Sequence, residues 1–90
     1  MKPMKSYEEI KSELRRETHQ SLRYFTKAFY ATYCKAVETI RYNIEHDIDD
    51  SYEDNGIYTL HAFDDVRKSD FYLKSGSAYC TFLCIVGRIS

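Results

Sequence analysis

The sequence predicts an α+β domain. An N-terminal helical segment over residues 6–47, read as one helix or a kinked pair, packs across a three-stranded antiparallel sheet with strands near 57–63, 70–74 and 78–86. Three observations predict it. No glycine or proline interrupts the chain between Pro3 and Gly56. Apolar or near-apolar residues recur at Tyr7, Ile10, Leu14, Thr18, Leu22, Phe25, Phe29, Tyr33, Ala36, Ile40 and Ile44. Every step is three or four residues, which marks one buried helical stripe. Beyond Gly56 the residues become aromatic and β-branched, as strands require.

The helix start is written at Ser6 and Glu9, a capping box in which each side chain satisfies a free amide of the first turn. The polar stretch Arg15 to Ser21 is the weakest part of the stripe. A break is expected near residues 17–20, with Thr18 as the cap of a long second helix ending near Asp47. Residues 47–56 read as an acidic linker closed by Asn55-Gly56, a dipeptide that tolerates positive φ. Ile57 to Phe63 reads as the first strand and Asp64 to Ser69 as a polar connection. The segments 70–74 and 78–86 flank Ser75-Gly76-Ser77, read as a hairpin turn with Gly76 in the left-handed conformation. The last strand is apolar on both faces, so a second cover beyond the helix is expected.

Ninety residues make one small domain, residues 1–90, with 1–5 as a flexible N-terminus. Nine tyrosines and five phenylalanines supply the buried area that a chain this short otherwise lacks. A homodimer is a possible further source of burial. No apolar leader or membrane-spanning stretch is present, and three cysteines are an odd set for a disulfide framework. The expectation is a cytoplasmic protein with no membrane partner.

Charge is sorted along the chain. Residues 1–35 balance at +4, residues 36–66 at −8 and residues 67–90 at +3, within a total of −1. Such sorting speaks to partners and association. The acidic part centres on Glu45, Asp47, Asp49, Asp50, Glu53 and Asp54, six carboxylates in ten residues. With Gly56 as the sixth position of a calcium loop, the twelfth falls on Ala62, which carries no carboxylate, so that pattern fails. Metal-assisted phosphoryl chemistry needs carboxylates converging from separate elements, which one loop does not supply. Two readings stand: a solvated loop, or a set of carboxylates that imitate phosphates and occupy a basic nucleic-acid groove on another protein.

Three functions follow from different classes. The first is a non-enzymatic protein-binding module, of the kind a phage or mobile element encodes to inhibit a nucleic-acid-handling host complex. Its contacts would be the six carboxylates with Tyr24, Tyr30, Tyr42 and Tyr52, since tyrosine is enriched at binding hot spots. The second is nucleic-acid binding by Arg16, Arg23, Lys27 and Arg41, which with Tyr30 and Cys34 share one strip of a continuous helix. The third is a small toxin-like ribonuclease using His61, Arg67, Tyr72 and Arg88, a comparison resting on fold order alone. The partner expected is a larger protein or protein–nucleic-acid complex. No cofactor or metal set is written in the sequence: Cys80 and Cys84, four apart in a strand, lie about 13 Å from each other.

Overall fold

A computed structural model describes residues 5–18 and 22–87. The capping box forms as written: the Glu9 amide donates to Ser6 Oγ at 3.2 Å and the Ser6 amide to Glu9 Oε1 at 3.3 Å. It opens helix α1, Tyr7–Thr18, whose Ile10 and Leu14 are fully buried. Thr18 does not cap the next helix. Its hydroxyl bonds back to the Leu14 carbonyl at 2.8 Å, one turn earlier in α1.

Helix α2, Lys27–Glu45, begins instead at Thr26, whose hydroxyl accepts from the Phe29 amide at 3.0 Å. The helical segment is therefore a pair, with its break reaching further along the chain than the expected 17–20. Phenols tie the two helices together. Tyr7 donates to the Phe25 carbonyl at 2.7 Å and stacks on the Phe25 ring, while Tyr30 donates to the Lys5 carbonyl.

The sheet is corrected most. It has two strands, β1 Ser51–Asp54 and β2 Ile57–Leu60, paired antiparallel. Residues 57–60 fulfil the first expected strand in part, but β1 lies within the segment read as a linker. Residues 61–63 form a 3₁₀ turn, and the expected polar connection contains the short helix α3, Asp64–Arg67.

The expected second and third strands are helices: α4, Asp70–Lys74, and α5, Ser77–Gly87. Ser69 caps α4 by accepting from the Tyr72 amide at 3.3 Å. In α5 the buried residues are Ala78, Phe82, Ile85 and Val86, one helical face, and α5 lies along α1. A continuous apolar run does not distinguish a buried strand from a buried helix. Here the eleven-residue length and the helical spacing of its anchors decide for the helix. Gly76 does adopt positive φ, at 55°, but it turns α4 into α5 rather than closing a hairpin.

The core is an aromatic cluster between these helices. Phe29 meets Phe71 at 4.8 Å and Phe82 at 5.3 Å between centroids, and Tyr33 meets Phe82 edge-on at 4.9 Å. Phe25, Leu22 and Val66 complete it with the α1 and α5 residues. Each fully buried ring contributes about 1.5–3 kcal/mol of transfer free energy. The hairpin adds nothing to this core: no residue of β1 or β2 is buried.

Candidate functional site: an acidic hairpin arm

Helix α2 ends where the backbone reverses at Asp47. Asp47 takes positive φ at 53°, its amide donates to the Ile44 carbonyl at 3.4 Å, and the Ile48 amide donates to the Asn43 carbonyl at 2.9 Å. This pair of bonds is the Schellman closure of a helix. Asp49 then launches β1, its Oδ1 accepting from the Ser51 amide at 3.0 Å and the Ser51 hydroxyl at 2.6 Å. At the tip, Asn55 and Gly56 both have positive φ, 52° and 81°, the type I′ geometry that matches strand twist.

The register pairs Tyr52 with Thr59, Glu53 with Tyr58 and Asp54 with Ile57. Because side chains alternate, Tyr52, Asp54, Ile57 and Thr59 share one face, and Ser51, Glu53, Tyr58 and Leu60 the other.

Polar contacts hold the base of this arm. The Asp50 carbonyl accepts from the His61 amide at 3.1 Å, and Asp50 Oδ2 from the Ala62 amide at 2.7 Å. The Tyr52 hydroxyl donates to Asp64 Oδ1 at 2.8 Å, and the His61 ring stacks on Tyr52 at 3.9 Å. Arg67 joins the two strands to α3, donating to Thr59 Oγ1 at 2.6 Å, to the Leu60 carbonyl, to the Tyr52 phenol and to Asp64. The Tyr52 hydroxyl, and then the His61 ring, hold the Asp64 carboxyl below its ordinary value. The Asp64 hydrogen bond in turn pushes the Tyr52 phenol up.

The six expected carboxylates therefore divide. Asp49 and Asp50 shape the chain, whereas Glu45, Asp47, Glu53 and Asp54 are exposed, with no ion pair among the described residues. The four expected tyrosines divide as well. Tyr42 is exposed, stacked on His46 at 4.0 Å. Tyr24 is half-buried between the cations of Arg23 and Lys74, at 5.4 and 5.5 Å from its ring. Tyr30 is bonded to Lys5, and burial, followed by a hydrogen bond with Cys34, pushes its phenol up to about 12. Tyr52 belongs to the anchor. Sequence reasoning missed Tyr58 and Ile57, 77% and 69% exposed on β2. The signal was present in Asn55-Gly56, a hairpin dipeptide flanked on both sides by residues able to pair.

The basic strip does not form as drawn, because its residues do not share one helix. Arg16 lies on α1 beside a recess lined by Glu8, Glu9 and Glu13, Arg23 lies in the connection, and only Lys27 and Arg41 lie on α2. Of the ribonuclease set, Arg67 and Tyr72 line a recess of about 280 Å³ with Asp54, Ile57 and Thr59. His61 lines a different recess, with Lys35, Thr39 and Asp65. Arg88 lies outside the described residues.

No group of three His, Cys, Asp or Glu able to hold a metal occurs among the described residues, and none of their helices is long and apolar enough to cross a membrane. No family model matches the chain, and no curated protein or solved structure is similar to it.

Proposed function

We propose that the chain is a protein-binding module whose hairpin arm enters a basic groove on a larger, nucleic-acid-handling partner and blocks it. One observation carries this reading. Glu53 and Asp54 on the arm, and Glu45 and Asp47 where α2 leads into it, stand exposed with no ion pair among the described residues, and the arm also presents Ile57 and Tyr58 to solvent and buries no residue of its own strands. Each face of the arm sets one apolar side chain opposite a carboxylate, Ile57 with Asp54 and Tyr58 with Glu53, which suits a groove built for a polyanion, because such grooves combine cations with stacking surfaces. The ribonuclease reading draws less support, since the guanidinium of Arg67 already serves four acceptors within the arm's anchor. The test is affinity capture with the wild-type chain and with a Glu45→Lys, Asp47→Lys, Glu53→Lys, Asp54→Lys variant, which leaves Asp49 and Asp50 in place. The wild type should retain a nucleic-acid-binding protein that added oligonucleotide displaces. Equal capture by the variant would remove the arm from the contact.

A further inference from the structure

Residues 77–87 being a helix changes what Cys80 and Cys84 can do. On α5 the two residues are one turn apart on the same face, with Cβ atoms about 5–6 Å from each other. Both thiols are free and exposed, Ser77 and Gly87 above and below them are exposed too, and the opposite face of α5 is buried. Leu83, 40% exposed, flanks the pair, and α5 contains no charged residue and no histidine.

We propose that Cys80 and Cys84 chelate a soft, two-coordinate metal ion of the Cu(I) class. The spacing is the one that lets two ligands on a single helix hold one metal, as paired histidines do in helical zinc sites. The donor type selects the ion, since thiolates favour soft cations such as Cu(I). The donor number narrows it further. A structural zinc site needs four ligands, and among the described residues no third His, Cys, Asp or Glu joins these two. Binding forms two metal–sulfur bonds and releases the two thiol protons to solvent. A monovalent ion then leaves a net charge of −1 at the site and no oxidation state changes.

The site is separate from the arm, so the two proposals stand or fall independently. The test is an anaerobic titration of the reduced full chain with Cu(I) against a chromogenic Cu(I) chelator. Wild type and Cys34→Ser should each hold one equivalent. Cys80→Ser and Cys84→Ser should each lose more affinity than the roughly 10–100-fold typical of removing an outer-shell partner. Far-UV circular dichroism on each variant establishes that α5 is intact, with Cys80→Ala and Cys84→Ala as a second pair. Unchanged affinity in the folded Cys80→Ser, Cys84→Ser double variant overturns the proposal. So does one metal per two chains with a doubled mass, which would mean a shared four-thiolate site.

Discussion

Asp47 holds a backbone conformation that glycine adopts at lower cost. Its φ of 53° is forced by the Schellman closure of α2, and an L side chain in that region is strained. The residue is exposed and makes no ion pair among the described residues, so nothing local offsets the strain. Asp47→Gly should raise the unfolding free energy by about 1 kcal/mol, read from the urea midpoint at constant m-value. The same variant should bind the partner less well, having lost one exposed carboxylate. Stability and binding moving in opposite directions at one position would separate the two roles; a stability loss would mean that the Asp47 side chain supports the helix end.

The hairpin is attached through one small polar network, and Arg67 is its centre. Arg67→Met keeps the length and apolar stem of the side chain while removing every donor. Amides of β1 and β2 should then exchange faster while those of α2 and α5 keep their protection, as measured by native-state hydrogen exchange. Acid should act on the same network. The folded-state value of Asp64 lies below its ordinary value near 3.9, so its stabilising contribution is complete above about pH 4 and is lost as pH falls through the depressed value. In wild type, hairpin protection should decline over that acidic window ahead of the core; Asp64→Asn should lack the decline.

At this same scale the sequence was legible where local chemistry is strong. Ser6 and Glu9 wrote the start of α1, Asn55-Gly56 wrote a positive-φ turn, and the apolar stripe from Ile10 to Ala36 wrote the buried faces of α1 and α2. It was illegible where context decides. Asp and Glu disfavour strands, so Ser51-Tyr-Glu-Asp54 reads as loop until the type I′ turn and Tyr52's bond to Asp64 place it in a ladder. Ala78 to Val86 is apolar at nearly every position and carries no period, so only packing of Phe82 and Ile85 against the aromatic cluster reveals a helix. The candidate arm was half visible for the same reason. Its carboxylates were evident in composition, while Ile57 and Tyr58 were assigned to a strand of a three-stranded sheet under the helices, where the structure has a two-stranded hairpin.

Taken as a whole molecule, the chain separates a body from an arm. Its radius of gyration is 13.6 Å, against about 12 Å for a compact chain of ninety residues, and its extents are 39 × 33 × 20 Å. The body holds every buried residue of the described chain, and the hairpin holds none. The arm carries Glu53 and Asp54 and no cation. Lys27 sits in the first turn of α2 and Glu45 in the last, each opposed to the helix dipole by about 0.3–1 kcal/mol. The decisive measurement removes the arm. Asp50 and His61 are hydrogen-bonded neighbours, so replacing Ser51–Leu60 with an Asn-Gly turn spans the gap without stretching the body. Thermal unfolding of that chain, followed by near-ultraviolet circular dichroism, should show a cooperative transition with the aromatic signal of the core retained. A chain that loses the signal and melts without a transition would mean that the hairpin holds the fold together, and the division into body and arm would be wrong.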